Sequence, residues 1–248
     1  MSAFVLFASL LTPLAVTRAI HLDGLLLAAR ERAEGVLDLS RPLECVAMDR
    51  GVYRASAGIL LCPDLLGNAP TTVNRTWRFR TETREGLAYF RLHDEAGKPL
   101  PTKERQLPVA NSPWKPHFAE KELHSAVSTV AWQFVGDAHA VLRLARAIDN
   151  IGPSQNQGFG RVRSWSIEVS DADPDAAGWY AGDRVLRNLP VELAPRHLLN
   201  GGTGFSRGRD RVAPPYWDPN DRRDCLVPVP RGLVATYDDA HARLGLAA

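Results

Sequence analysis

The order of the local sequence patterns constrains the fold of this chain more than any single motif does. The apolar run Ala3–Thr17 predicts a buried strand, and His21–Glu34 has the apolar spacing of a helix that ends at Gly35. Two strand-like runs follow, Leu43–Met48 and Val52–Leu61, and the polar turn between them predicts a hairpin. The first part of the chain therefore reads strand, helix, strand.

The same order returns later in the chain. Ser128–Val135 has a strand pattern, and Asp137–Asn150 has helical apolar spacing behind a capping aspartate. Gly152–Gly160 then predicts a loop, and Val162–Ser170 alternates as a strand. Two strand–helix–strand units separated by an insertion form the split βαβ order of ferredoxin-like (RRM-like) folds. We therefore predict an α+β chain with a βαββαβ core.

The predicted core has one inserted segment and one C-terminal extension. The segment of about 63–124 is rich in Pro, Gly and charged residues, and its runs Thr76–Arg84 and Leu87–Leu92 alternate with period two. We predict that it is a β-hairpin thumb inserted into one ferredoxin-like domain over residues 1–171. Many prolines and a glycine cluster in residues 172–248 predict a loop-rich C-terminal extension packed on the same domain.

Composition limits the classes of function. Lys and Arg number 30 and Asp and Glu 28, which gives a net charge of +2, so any basic surface must be local. The three cysteines lack short spacing, which predicts neither a disulfide framework nor a zinc site, and we expect no metal or cofactor. The apolar run Ala3–Val16 is too short to span a bilayer as a helix, and no Lys or Arg precedes it. We expect a cytoplasmic protein without a membrane partner.

The strongest candidate for a functional motif is the glycine-rich segment between the second predicted helix and the last core strand. Its glycines permit close backbone approach, free amides can bind phosphate oxygens, and two arginines add positive charge. It runs from helix into strand, the reverse of a dinucleotide-binding turn. The alternative is a tight connection that needs small residues. The candidate RNA-binding residues here are Gly152, Gln155, Asn156, Gln157, Gly158, Phe159, Gly160, Arg161 and Arg163.

The predicted thumb carries a second candidate surface. Strand periodicity places Arg78, Arg80 and Arg84 on one face and Trp77 on the other, and Arg75 precedes them. Basic side chains beside aromatic rings suit single-stranded RNA, whose phosphates are neutralised and whose bases stack. The alternative is a solvated hairpin face with its aromatic residues packed on the core.

A third basic segment lies in the predicted C-terminal extension. The run Gly201–Arg211 contains Arg207, Arg209 and Arg211 among glycines, so it could order on RNA or on a neighbouring subunit. The alternative for this segment is an ordinary surface loop. Tyr216 could stack a base, although packing into the core or an interface is the favoured interpretation.

Two of these motifs carry a family resemblance. The run Gly158-Phe-Gly-Arg-Val resembles the end of the glycine-rich loop in the RAMP superfamily of CRISPR effector subunits, and His21-Leu-Asp-Gly-Leu-Leu is similar to the start of their first helix. The single core, the thumb and Pro214-Pro-Tyr-Trp resemble the Cas-five-like (Csf-three-type) cap subunit of type IV effector complexes. The resemblance implies a ferredoxin-like fold.

It also implies a function and a set of partners. The chain would bind the 5′ handle of the guide RNA (crRNA), with His21 among the contacts, and would cap a helical filament of backbone subunits. A large subunit of the effector complex would be a further partner, and target DNA would be reached indirectly.

Two alternatives to a non-catalytic RNA-binding subunit stay open. Related RAMP nucleases cut RNA without metal by using a histidine or tyrosine as a base, which makes His21 the candidate for a pre-crRNA endoribonuclease. The other candidates are Tyr53, His93, His117 and His124. None of these residues lies in a recognisable catalytic motif, so we expect no catalytic residue. The second alternative is a ferredoxin-like interaction protein without RNA.

Overall fold

The computed structural model describes residues 2–35, 41–63, 71–72, 76–78, 117–119, 122–153, 155–214, 216, 222–229 and 233–246. For residues 71–72, 76–78 and 117–119 the description is of the backbone alone. The chain forms two compact units, Met1–Thr71 with Glu122–Ala248, and Thr72–Lys121.

The described strands and helices are as follows in chain order. The strands are β1 (Ala3–Leu10), β2 (Leu14–Val16), β3 (Met48–Asp49), β4 (Val52–Tyr53), β5 (Ile59–Leu61), β6 (Thr71–Thr72), β7 (Thr76–Arg78), β8 (His117–Ala119), β9 (Glu122–His124), β10 (Thr129–Val135), β11 (Val162–Ser170), β12 (Tyr180–Ala181), β13 (Arg184–Val185), β14 (Leu189–Pro190), β15 (Phe205–Asp210), β16 (Arg223–Pro228) and β17 (Val234–Ala235). The helices are α1 (Leu22–Glu34), α2 (Ala138–Ala145), α3 (Arg196–Gly201) and α4 (Tyr237–Leu244), with 3₁₀ turns at Gln155–Gln157 and Val191–Leu193.

A five-stranded sheet in the order β11-β1-β10-β5-β17 forms the centre of the larger unit. Strand β1 is antiparallel to β10 and β11, β10 is antiparallel to β5, and β17 is parallel to β5. Strand β10 therefore lies between β1 and β5, and β1 lies between β10 and β11. The units β1-α1-β5 and β10-α2-β11 interleave in one mixed sheet, which confirms the predicted α+β class.

Each face of this sheet has its own hydrophobic core. Because side chains alternate along a strand, Leu6 and Trp132 point to the face covered by α1 and α2. Val5 and Ala131 point to the opposite face, where Leu244 of α4 packs against them. The strands β1, β10 and β5 are thus buried on both sides, and α4 contributes to the second cover.

Several local predictions are confirmed. Helix α1 ends where expected, since Gly35 adopts a left-handed conformation and its amide donates to the Glu31 carbonyl at 2.7 Å. Asp137 caps α2 by accepting from the amide of Ala140 at 3.1 Å, although α2 ends at Ala145 rather than at Asn150. Strands β10 and β11 lie within the ranges that their alternation predicts.

Two other predictions are wrong. The run Ala3–Thr17 is two strands that belong to different sheets, β1 and β2. The expected hairpin over Leu43–Leu61 is reduced to β3 and β4, while β5 pairs instead with β10. The reason is tertiary, because a short apolar strand pairs with whichever long strand the fold brings beside it.

The segment 172–248 contains more regular structure than its prolines predict. Strands β14, β16 and β15 form an antiparallel sheet over a separate hydrophobic cluster that includes Trp179, Leu198 and Leu226. Three of the described prolines lie at element ends, where a missing amide costs little: Pro190 ends β14, Pro195 precedes α3 and Pro228 ends β16. The predicted loop-rich extension thus has strands and a core of its own.

The smaller unit, Thr72–Lys121, includes β7 paired antiparallel with β8. The register joins Thr76 to Ala119, Trp77 to Phe118 and Arg78 to His117. The alternating run at Leu87–Leu92, predicted to form part of a projecting hairpin, lies outside the described residues, as do Arg75, Arg80 and Arg84. Trp77 and Arg78 are described through their backbone alone.

Among the described residues, no helix combines the length and the apolar character that a membrane crossing requires.

Candidate nucleic-acid interface

An open groove lies where the chain passes from α2 through the glycine-rich loop into β11. It has a volume of about 680 Å³. Its lining residues come from the end of β1, the segment after α2, the loop and the start of β11: Leu11, Asp149, Asn150, Gln155, Gly158, Arg161, Val162 and Arg163. Four of the nine loop residues predicted to bind RNA therefore meet at one site, namely Gln155, Gly158, Arg161 and Arg163.

The backbone of the loop is hydrogen-bonded to the rest of the protein. The amide of Gly160 donates to the Pro13 carbonyl at 2.9 Å, and that of Gly158 donates to the Gln155 carbonyl at 3.0 Å. The amide of Arg161 donates to the Thr12 hydroxyl at 2.9 Å. The prediction that these amides are free for phosphate is wrong, because closing the loop uses them.

The glycines are explained mainly by crowding and backbone conformation. Gly160 has a φ of 65°, and a Cβ there would lie 1.9 Å from the carbonyl oxygen of Ile151. A Cβ at Gly152 would lie 2.5 Å from the carbonyl oxygen of Ala15. Gly158 also has a positive φ, 83°, but nothing lies within 4 Å of its Cβ position. The tight-connection interpretation thus accounts for Gly152 and Gly160, and the groove is left open beside Gly158.

The charged groups of the loop remain available to a ligand. Arg161 and Arg163 are exposed, and within the described ranges neither guanidinium has an ion pair or a hydrogen bond. Gln155, Asn156 and Gln157 form the exposed 3₁₀ turn. Phe159 is half-buried, and its carbonyl accepts from the side chain of Asn150 at 3.3 Å. Phosphate binding in this groove would therefore rest on side chains rather than on amides.

The basic segment Gly201–Arg211 has a different structure from the flexible loop that was predicted. Residues Phe205–Asp210 are β15, paired along its length with β16. Arg209 forms an exposed ion pair with Asp224 at 3.4 Å, and Arg207 donates to the Leu199 carbonyl at 2.9 Å. Arg211 is buried, with 6% of its surface exposed. Arg211 lies just after the end of β15, where the chain enters the protein interior, so it is separated from the two exposed arginines.

His21, the remaining candidate, lies in a buried polar cluster with Asp23, Arg187 and Tyr216. Its ring stacks on that of Tyr216 with centroids 4.4 Å apart. Burial, with a contribution from the positive charge of Arg187, lowers the pKa of His21 to about 4. Its Nδ1 atom is buried, and none of the described residues forms a hydrogen bond with it. The imidazole is therefore neutral and covered by an aromatic ring at neutral pH.

Arg187 is the centre of this cluster and was missed by the sequence reasoning. Both it and Asp23 are fully buried, and their ion pair is 3.2 Å long. The Tyr216 hydroxyl contacts both Asp23 carboxylate oxygens, at 2.9 and 2.8 Å, and accepts from Arg187 at 2.8 Å. Arg187 also donates to the Ala55 carbonyl at 2.9 Å. No local signal marks this pair, since its members lie 164 residues apart.

Of the other residues considered as catalytic bases, Tyr53 and His124 are described with their side chains. The Tyr53 hydroxyl accepts from the amide of Leu43 at 2.9 Å, and burial raises its pKa. His124 is buried, lies 3.5 Å from Glu122, and has a pKa lowered by burial. His93 lies outside the described residues, and His117 is described through its backbone alone. In the described part of the chain, no three His, Cys, Asp or Glu side chains group as metal ligands would.

Comparison with known proteins identifies the family. Residues 105–228, half of the chain, match the model of a family of CRISPR type IV associated proteins. The family is described as CRISPR type IV associated protein Csf3, and the chain belongs to it. The matched segment includes α2, the glycine-rich loop, β11, Arg187 and the β15–β16 pair. The predicted type IV CRISPR family is thus confirmed. No curated protein matches the chain.

Proposed function

We propose that this Csf3-family chain is a non-catalytic subunit that binds the 5′ handle of the guide RNA and caps the backbone filament of a type IV effector complex. The observation that carries the proposal is the groove of about 680 Å³ with Arg161 and Arg163 at its wall. Exposed guanidiniums to which the described residues offer no partner suit phosphate oxygens, because each guanidinium presents a planar fork of donors. The partners are then the guide RNA, the backbone subunits and a large subunit, with target DNA reached indirectly.

The proposed core is the ferredoxin-like fold of RAMP proteins. The order of the four core strands supports it, because β1-α1-β5 and β10-α2-β11 interleave in the split βαβ manner. Strand β17 adds a fifth, parallel strand at one edge of that core. In this arrangement the glycine-rich loop follows the second core helix and delivers Arg161 and Arg163 at the start of the last core strand.

We also propose that the chain does not cut RNA. A histidine acting as a general base must reach the proton that it removes. His21 instead lies under Tyr216 at 8% exposure, and its pKa of about 4 makes it a weak base. A cytosolic location is proposed with this function, and it is supported by Cys45, Cys62 and Cys225, which are buried and form no disulfide.

The test of RNA binding compares charge removal in the groove with charge removal elsewhere. Arg161→Ala and Arg163→Ala should each weaken handle binding and flatten its dependence on salt by about 0.7 units of log–log slope, the value for one lost single-strand phosphate contact. Arg32→Ala on α1 is the matched control, because Arg32 is also exposed. Filter binding at several salt concentrations measures both quantities.

Two outcomes would redirect the proposal. If the groove variants and Arg32→Ala bind alike, RNA does not use the groove, and an interaction protein without RNA becomes the better interpretation. If purified protein cleaves repeat RNA in chelator and His21→Ala abolishes the cleavage, the chain is a metal-independent endoribonuclease. A 2′,3′-cyclic phosphate end on the product would identify that chemistry.

A further inference from the structure

The groove contains a carboxylate beside its two arginines. Asp149 is exposed and lines the groove together with Arg161 and Arg163. Among the residues that the structure describes, nothing forms an ion pair or a hydrogen bond with the Asp149 side chain. A carboxylate next to a phosphate site repels the phosphate. Its presence there favours a ligand that brings a hydrogen-bond donor as well as a phosphate.

The backbone fixes Asp149 in this position. The amide of Val162 donates to the Asp149 carbonyl at 2.8 Å. Next to it, Asn150 and Arg161 form an antiparallel bridge. Main-chain contacts therefore hold Asp149 beside the segment that carries Arg161 and Arg163, independently of any ligand.

The neutral side chains of the groove also present acceptors. The side-chain nitrogen of Gln155, Nε2, donates to the backbone carbonyls of Asn150 and Gly152, at 3.2 and 3.1 Å. The side-chain nitrogen of Asn150, Nδ2, donates to the backbone carbonyl of Phe159 at 3.3 Å. Both donors of the Gln155 side chain and one of the two donors of Asn150 are thus used within the protein, whereas the side-chain oxygens of both residues can accept from a ligand. A groove with two cationic donors and several acceptors suits a nucleotide better than a bare phosphate.

We propose that Asp149 accepts a hydrogen bond from a ribose 2′-hydroxyl and so makes this groove select RNA over DNA. The proposal rests on the function proposed above. The 2′-hydroxyl is the donor that distinguishes the two nucleic acids. It is bonded to the carbon next to the one that carries the 3′ phosphate, so a short side chain beside a phosphate-binding arginine reaches it whatever the base. Asp149 is then a specificity-determining residue.

The test uses the full chain with two single-stranded probes, a handle RNA and its 2′-deoxy form with every base unchanged. The wild type should bind the RNA roughly tenfold more tightly, the effect of one hydrogen bond to a charged group. Asp149→Ala should bind both probes equally, whereas Asp149→Asn, which keeps an acceptor oxygen, should retain part of the preference. Glu168→Ala is the control, because Glu168 is an exposed carboxylate on β11, the strand that carries Arg163, and lies outside the groove lining.

The outcomes separate this inference from the proposed function. An unchanged RNA preference in Asp149→Ala overturns the inference, and so does a wild type that binds both probes equally. The same pair of probes distinguishes a hydrogen-bond donor on the sugar from one on a base. Only the sugar differs between them, so a donor on a base would give no difference in affinity. If instead Arg161→Ala and Arg163→Ala leave RNA binding intact, the result contradicts the proposed function itself, whatever the Asp149 variants show.

Discussion

Arginine has opposite roles in two regions of this molecule. Arg187 is fully buried. Its guanidinium forms an ion pair with Asp23 and hydrogen bonds with Tyr216 and backbone carbonyls, so its partners are groups of the protein itself. Arg161 and Arg163 are exposed in an open groove, where the described residues supply no partner. Burial and the available partners therefore decide the role of an arginine in this protein. The buried one holds two parts of the chain together, and the exposed ones are free for a ligand.

The largest effect should come from breaking the buried cluster. Arg187→Met leaves Asp23 as a buried charge without its cation, which costs about 3–5 kcal/mol of unfolding free energy. The same replacement in the groove, Arg163→Met, is the matched control and should change stability by less than about 0.5 kcal/mol. Urea denaturation of the two variants measures the difference. Equal midpoints would show that Arg187 does not hold the fold.

The next effect is a pH dependence of stability that the buried cluster should have and the groove arginines should lack. His21 has a folded pKa of about 4 against an ordinary value of 6.5, so the unfolded chain takes up the proton first. Stability is therefore complete above pH 6.5 and falls as the pH drops toward 4, with a loss of about 2 kcal/mol at pH 5. His21→Phe keeps a ring on Tyr216 and removes the titration, so its stability should fall less over that range.

The control for this pH dependence is an exposed histidine. His139→Gln on α2 should keep the slope of the wild type, because His139 is exposed to solvent. Denaturation midpoints at several pH values provide the comparison. A His21→Phe slope as steep as that of the wild type would assign the pH dependence to other groups.

A smaller effect should separate the two glycines of the groove. Gly158→Ala places its Cβ in open space, so its cost is that of a left-handed alanine, about 1–2 kcal/mol. Gly160→Ala adds a collision with the Ile151 carbonyl to the same backbone cost and should destabilise more. Thermal unfolding of both variants tests the order. The reverse order would mean that the loop relaxes around position 160.

The smallest effect on stability is expected where the effect on binding is largest. Arg161→Ala and Arg163→Ala should stay within about 0.5 kcal/mol of the wild type, since exposed substitutions away from special features rarely cost more. Their RNA affinity should fall nevertheless. A loss of stability in either variant would show that the guanidinium has a protein partner after all and would weaken the comparison with Arg187.

Part of the site was predictable because it is local. The groove residues lie within fifteen positions of one another, from Asp149 to Arg163, apart from Leu11, and a helix–loop–strand pattern brings them together. The hydrogen bonds of the loop could not be predicted in the same way. The partners of Gly160 and Arg161 are Pro13 and Thr12, which follow β1 at the other end of the sequence. The amides were thus expected to be free until the fold supplied their acceptors.

The sequence by itself determined the α+β class, the end of α1 at Gly35, the start of α2 after Asp137, and the alternation of β11. Caps and periodicities depend on residues within a turn or two of each other, so they are readable along the chain. The tertiary structure alone decided that β5 pairs with β10, that the chain end covers the second face of the sheet, and that Arg187 is buried. Each of these depends on partners far apart in sequence, because a charge becomes buried and paired only when the folded chain brings its counter-charge to it, as Asp23 is brought to Arg187 across 164 residues.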